Sequence, residues 1–299
     1  MSTTIITGAT SGLGLKTARL LASTYPKDTF IITSRKLASA QVVAKDFPNM
    51  IPLSVDLSET PSIQRFMANI KQRHSKIDGI IANAGSQYVK PTLNSQGVEA
   101  TFATNVLGQY LLIHGLQSML TDDARIILVS SDTHDRHKFT GMPNPQYLSP
   151  ALLADEEGSS KIIKHRSAAQ LGQIRYTSSK LAVIYLVHAF AKNDINHTYV
   201  SFNPGFMPGK DSGLARDYSP VAKWVLTNVF PLMRFVLPKF VHTVKQSSQN
   251  LVKVYTNSQL KSGEYWDGDR VIPSSDESYD TDRESELWQY LSTLDNRNR

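Results

Sequence analysis

A chain of 299 residues with 40% hydrophobic content is long enough to bury the core of one enlarged α/β domain. It contains no cysteine, which excludes disulfides, thiolate metal sites and a cysteine nucleophile and fits a reducing, cytoplasmic home. The net charge of +6 suits an anionic ligand, but the lysines and arginines are scattered without dense runs, so a phosphorylated cofactor accounts for the charge better than nucleic acid.

The opening Met1-Ser-Thr-Thr-Ile-Ile-Thr-Gly8 runs straight into a β-branched strand and leaves no room for a secretion signal. Strands are expected at Thr3–Thr7, Thr29–Ser34, Ile51–Asp56, Gly79–Ala82, Ile126–Ser130 and Thr198–Asn203. Helical patterns at Leu13–Tyr25, Pro61–His74, Gln96–Met119 and Tyr176–Asn193 fall between or after them. Strands such as Ile126-Ile-Leu-Val are apolar at nearly every position, which indicates burial on both faces. The expected fold is therefore α/β: a single Rossmann-type domain over 1–299, with a doubly wound parallel sheet and helices on both faces.

Two regions break the alternation. The stretch Asp132–Arg175 is too long for an ordinary strand-to-helix connection and is expected to fold over the active-site edge of the sheet. Residues 206–240 read as an apolar lid. Within them Val221–Phe240 carries Lys223, Arg234, Lys239, Pro231 and Pro238, too charged and broken for a transmembrane span. Its run of Trp224, Val225, Leu226, Val229 and Phe230 suits a pocket for an apolar substrate, a core or dimer interface, or contact with a membrane surface.

The turn Thr7-Gly-Ala-Thr-Ser-Gly-Leu-Gly14 follows the first strand and opens the first helix. Gly8, Ser11, Gly12, Leu13 and Gly14 would bring backbone amides to a pyrophosphate at the helix N-terminus, although a plain strand-to-helix turn has the same look. The second strand ends in Thr33-Ser-Arg-Lys36, with no acid where an NAD enzyme would hold the ribose hydroxyl. Arg35 would instead pair with a 2′-phosphate, favouring NADP(H), against the reading of a solvated surface arginine. Tyr176 and Lys180, four apart, share one helix face, so an ammonium sits near a phenol. His134, His137 and His165 do not form a helical chelating pattern, so no metal is expected, and they read as solvated or cofactor-adjacent.

Together with Asn83-Ala-Gly85, Asn105 in Thr104-Asn-Val-Leu-Gly108, Ser130-Ser131 and Asn203-Pro-Gly205, these motifs make nearly the whole chain resemble the short-chain dehydrogenase/reductase family. The resemblance implies an oxidoreductase interconverting a carbonyl and an alcohol. Tyr176 would be its general acid, Lys180 the tuner of that phenol and a ligand of the nicotinamide ribose, and Ser131 the holder of the substrate oxygen. Asn105 would support a water-linked proton path to Lys180. Asp56 and Leu57 would flank the adenine, Asn83, Ala84 and Gly85 would approach the cofactor ribose, and Pro204 and Gly205 would lie beside the nicotinamide.

Plainer roles stand beside these: Asp56 as a turn residue, Asn105 as a satisfier of backbone groups, Ser131 as a loop cap. A dinucleotide-sensing protein on the same fold is the alternative to an enzyme. The insertion, the apolar lid and the tail motifs Gly263-Glu-Tyr-Trp-Asp and Leu287-Trp288 look like the branch holding protochlorophyllide reductases and retinol-dehydrogenase-like enzymes. The lack of cysteine sets the chain apart from protochlorophyllide reductase itself, whose pigment site uses one. The expected substrate is a lipophilic carbonyl or alcohol. Oligomers are common in the family, and lid-bearing members can be monomers.

Overall fold

Consecutive residues of each central strand point to opposite sides of the sheet, and in this protein both sides are buried. Ile5, Ile31, Ile80 and Ile126 enter one core, while Ile6, Ile32, Ile81 and Ile127 enter the other. The computed structural model describes residues 1–74, 76–164, 166–208, 224, 227, 228, 230 and 241–297. Most of the 206–240 segment read as a lid, and His165, therefore lie outside the described residues.

The strands are β1 (Thr3–Ile6), β2 (Thr29–Ser34), β3 (Met50–Ser54), β4 (Ile77–Ala82), β5 (Leu120–Val129), β6 (Thr198–Asn203), β7 (Tyr265–Asp267) and β8 (Arg270–Ile272). They form one sheet in the order β3-β2-β1-β4-β5-β6-β7-β8. Every neighbouring pair is parallel except β7–β8, which is antiparallel. Strand order reverses between β1 and β4, the point where open α/β sheets leave a crevice for a ligand.

The helices are α1 (Gly12–Thr24), α2 (Leu37–Ala44), α3 (Thr60–Arg73), α4 (Ala100–Phe102), α5 (Gly108–Leu116), α6 (Pro150–Ala154), α7 (Glu156–Ile162), α8 (Ala168–Asn193), α9 (Val244–Tyr255) and α10 (Thr281–Arg297). Leu13 and Leu21 of α1, Val43 of α2 and Leu251 of α9 cover one face of the sheet. Phe66 of α3, Tyr110 of α5, Leu186 and Phe190 of α8 and Leu287 of α10 cover the other. This is the single-domain Rossmann-type architecture expected from the alternation of elements. No helix among the described residues is long and apolar enough to cross a membrane.

Several boundaries differ from expectation. The helix expected to begin at Gln96 begins at Ala100, because the Asn94 carboxamide accepts hydrogen bonds from the amides of Gln96 and Val98 and holds a turn there. Its interior is a π-helical segment at Ala103–Leu107. The insertion ends at Ser167 rather than Arg175: Ser167 and Gln170 form a reciprocal capping box that starts α8 two turns before Tyr176. Gly172 is needed in those turns, since a Cβ there would come within 2.3 Å of the Tyr88 carbonyl oxygen.

Candidate active site

The glycine turn sits at the crevice between β1 and β4. Gly8 and Gly12 adopt φ values of 65° and 55°, in the left-handed region that glycine enters at little cost. Gly14 packs so closely that a Cβ would approach Gly8 O and Asn83 Nδ2 to 2.5 Å. From the end of β4, Asn83 Nδ2 donates to Thr7 O at 2.8 Å and Gly8 O at 3.3 Å, and the Ala84 amide donates to Thr7 Oγ1 at 2.9 Å. These bonds fix the turn against Asn83-Ala-Gly85.

The N-terminus of α1 is suited to an anion. Ser11, its N-cap, makes no side-chain capping bond, and no acidic residue lies in the first turn. The partial positive charge of the helix end and its outward amides are thus left to a ligand. The Ala9 amide donates to Thr33 O at 3.0 Å, which fastens the turn to the end of β2 next to Arg35. Arg35 is exposed and makes no ion pair among the described residues. The turn, the helix end and this unpaired guanidinium therefore fit a phosphorylated dinucleotide. Leu57 is buried beneath the neighbouring edge, whereas Asp56 Oδ1 accepts from the amide and hydroxyl of Ser58 at 3.0 and 2.6 Å and so also shapes a turn.

Tyr176 and Lys180 lie on one face of α8, with Lys180 Nζ 5.6 Å from the centroid of the Tyr176 ring. Lys180 is only 5% exposed, and its ammonium donates to Val129 O, at the end of β5, at 2.8 Å. Burial depresses its pKa to about 8. Asn105 comes from the π-helical segment, a distortion often found at functional sites. Its Oδ1 accepts from the Ser86 amide at 2.8 Å, while Nδ2 donates to Ser86 O and Ser179 Oγ, both at 2.9 Å. Asn105 Oδ1 and Lys180 Nζ lie 3.3 and 3.5 Å from the point where a Cβ on Gly85 would stand. Asn105, Gly85 and Lys180 are thus brought together.

Ser131 stands just beyond β5, on an extended backbone that caps a short 3-10 turn at Asp132–His134. Its hydroxyl accepts from the Thr133 amide at 3.3 Å and donates to Asp132 Oδ1 at 3.2 Å. Burial raises the pKa of Asp132. At the end of β6, Asn203 Oδ1 accepts from the Gly205 amide at 3.1 Å, and Pro204 O accepts from Ser247 Oγ at 2.6 Å. Gly205 has a φ of 75°, and a Cβ there would meet His242 Nδ1 at 2.6 Å.

Three residues around this site escaped sequence reasoning, and a fourth, His134, is placed differently. Gln109 Nε2 donates to Ala84 O at 2.6 Å, and Ser179 receives the Asn105 amide. Arg175, immediately before Tyr176, pairs with Glu156 at 2.9 Å and ties α7 of the insertion to α8. His134, expected to be solvated or cofactor-adjacent, is buried at 1% exposure because both ring nitrogens bond to backbone groups. His137 is exposed. A helical Gln at i+4 from Asn105 was the one readable signal among them. No group of His, Asp or Glu among the described residues is arranged to hold a metal. A cavity of about 390 Å³ at the opposite edge of the sheet is lined by Thr4, Asp28, Asp78, Arg125 and Tyr255. Its polar groups bond one another or nearby backbone, so it competes poorly with the glycine-turn crevice.

The family model for short chain dehydrogenase matches residues 2–144. Over nearly the whole chain, the protochlorophyllide reductase of Chlamydomonas reinhardtii is 27% identical across 317 aligned positions, covering 98% of this chain and 77% of that protein. The chain is similar to the short-chain dehydrogenase/reductase family. The likeness is to oxidoreductases, protochlorophyllide reductases among them. Solved structures agree on the fold. An uncharacterized protein from Mycobacterium Paratuberculosis superposes with a TM-score of 0.71 at 22% identity, covering 99% of this chain and 94% of that one. The Pseudomonas aeruginosa RhlG/NADP active-site complex gives 0.63 at 16% identity, covering 89% and 94%.

Proposed function

We propose that the chain is a short-chain dehydrogenase/reductase that uses NADP(H) to interconvert a carbonyl and an alcohol on a lipophilic substrate. The observation that carries the proposal is the grouping of Tyr176, the buried Lys180 held by Val129 O, and Asn105 beside Gly85. The uncapped α1 N-terminus would take the pyrophosphate, and Arg35 the 2′-phosphate. The likeness to the Pseudomonas aeruginosa RhlG/NADP active-site complex and to protochlorophyllide reductases supports the same reading.

When bound, the reduced nicotinamide supplies the hydride that adds to the carbonyl carbon. Tyr176 then gives its phenolic proton to the carbonyl oxygen, so the C=O π pair ends as an O–H bond and the product is the alcohol. Ser131 holds that oxygen by turning its hydroxyl away from Asp132. Lys180 supplies positive charge beside the phenol, which favours the phenolate left behind. Asn105 anchors the backbone of Ser86 and the Ser179 hydroxyl, and so holds the route by which Tyr176 recovers a proton.

A non-catalytic sensor would have no need to retain Asn105, Ser131, Tyr176 and Lys180 together. The apolar composition of Val221–Phe240 supports its assignment as a lid for a bulky substrate, and the stretch Asp132–Ser167 as a second wall. The direct test follows NADPH absorbance over aldehydes, ketones, retinoids and steroids. Turnover of apolar carbonyls with NADPH preferred over NADH is expected. Tight NADPH binding with no turnover across the panel would favour the sensor.

A further inference from the structure

Both ring nitrogens of His134 are fixed by main-chain groups. Nδ1 lies 2.7 Å from Ser131 O, and a carbonyl can only accept, so the proton sits on Nδ1. Nε2 lies 3.0 Å from the Ser275 amide nitrogen, and an N–H can only donate, so Nε2 is bare. The ring is therefore the neutral Nδ1–H tautomer. It is 1% exposed and rests against Tyr265 with centroids 5.0 Å apart.

The location gives this ring its meaning. Ser130 still belongs to the sheet, through its amide bond to Phe202 O at 2.8 Å, but Ser131 lies past the last residue of β5. The Ser131 carbonyl is held by the backbone amide of His134 at 3.3 Å and more closely by the ring at 2.7 Å. Through Nε2 the same ring ties this turn to Ser275, in the segment that follows β8. That segment is itself fixed on α8, since Tyr185 Oη donates to Glu277 O at 2.6 Å and His188 Nδ1 to Ser278 O at 3.2 Å. A chain of bonds thus runs from the C-terminal segment through one imidazole to the peptide of the serine.

We propose that His134 is a positioning residue for the reaction: its Nδ1–H holds the Ser131 peptide so that the Ser131 hydroxyl meets the substrate oxygen. The proposal rests on the role given to Ser131 above. Hydroxyl placement matters because misplacement by about 1 Å costs on the order of 100-fold in rate. The donor to Ser131 O is the essential feature, and the acceptor toward Ser275 is the secondary one. Asparagine places an amide N–H near the position of Nδ1, whereas glutamine reaches the position of Nε2 and leaves Ser131 O without its ring donor.

The test uses the full-length protein with all-trans-retinal and 4-nitrobenzaldehyde as probes and NADPH as reductant. Long-range ¹H–¹⁵N spectra should first show His134 protonated on Nδ1, identified by loss of the signal in His134→Asn. A signal from an Nε2-protonated ring overturns the proposal. His134→Gln should then lower kcat by about 10- to 100-fold, with NADPH affinity and melting cooperativity retained. His134→Asn should restore kcat to within about threefold of the native rate. Equal losses in both variants, or native rates in both, overturn the positioning role. Ser131→Ala separates the two readings. If it turns over at the native rate, the serine assignment fails; if it is slow while His134→Gln is native, only the histidine proposal fails. No native turnover of either probe would count against carbonyl reduction itself, and against any role of His134 in it.

Discussion

Asn105 Nδ2 lies 2.9 Å from Ser179 Oγ, which joins the π-helical segment after α4 to the residue of α8 directly before Lys180. With Ser86 bonded to the same carboxamide from both its amide and its carbonyl, one side chain ties three elements of the site together. Asn105→Ala leaves three groups without this partner, and a buried polar group left unsatisfied costs about 1–3 kcal/mol. The variant should melt several degrees lower and lose turnover while still binding NADPH. Thermal scans and kcat on one preparation check both expectations, and an unchanged melting temperature would contradict them.

The glycine turn yields a contrast between two substitutions. Gly14→Ala forces a Cβ against Gly8 O at 2.5 Å, a contact with backbone that only movement of the turn relieves. NADPH affinity should fall below detection by calorimetry. Gly85→Ala places its Cβ 3.3 Å from Asn105 Oδ1 and 3.5 Å from Lys180 Nζ, side-chain contacts that a shift of a few tenths of an ångström relieves. That variant should fold normally and lose rate rather than structure. Native NADPH affinity in Gly14→Ala would show that the turn does not carry the phosphate.

Lys180 gives the protein a characteristic response to pH. Its folded pKa of about 8 is below the value of roughly 10.4 for lysine in an unfolded chain. Below pH 8 the group is charged in both states, and burial of the ammonium opposes folding at full strength. Between about pH 8 and 10.4 the unfolded chain binds more protons than the folded one, so stability rises with pH. Against Lys180→Met, which lacks this titration, the native protein should gain about 2 kcal/mol between pH 7.5 and 9.5. Urea unfolding of both proteins at those two pH values measures it. A constant difference would mean that Lys180 is not a depressed, buried ammonium.

What was legible in the sequence follows from which interactions are local. The both-face apolar strands and the glycine turn are written in consecutive residues, and the sheet follows them closely. The Ser167–Gln170 capping box is also a local signal, and it places the start of α8 where periodicity alone did not. Helices α9 and α10 carry local start signals, Thr243 accepting from the Gln246 amide and Asp280 from the Asp282 and Arg283 amides, but periodicity alone did not single them out, and their place is set by packing of residues such as Leu251 and Leu287. The bond between His134 and Ser275 spans 141 positions, and nothing near either residue announces it. Asn105, Tyr176 and Lys180 were readable as a family pattern, but their meeting beside Gly85 needed the fold.

Arg35 tests cofactor choice. Its guanidinium is exposed, so solvent weakens any contact it makes, yet a charge-assisted bond to a 2′-phosphate is worth about 1–3 kcal/mol. Arg35→Ala should weaken NADPH binding by about 10- to 100-fold and leave NADH binding nearly unchanged. Calorimetric titration of both cofactors into both proteins gives the comparison. Equal affinities of the native protein for NADPH and NADH would remove the assignment.

The most direct test of the account is single-turnover hydride transfer from bound NADPH in Tyr176→Phe. The substitution deletes one hydroxyl and keeps the ring, so packing on α8 beside Lys180 is preserved. NADPH affinity, measured by fluorescence, should remain within about twofold of native, because the ring and Lys180 are retained. Hydride transfer to a carbonyl that the native enzyme reduces should slow by about 10²- to 10⁴-fold, the range for loss of a general acid. Transfer at the native rate would contradict the account, because the proton would then come from a group other than Tyr176.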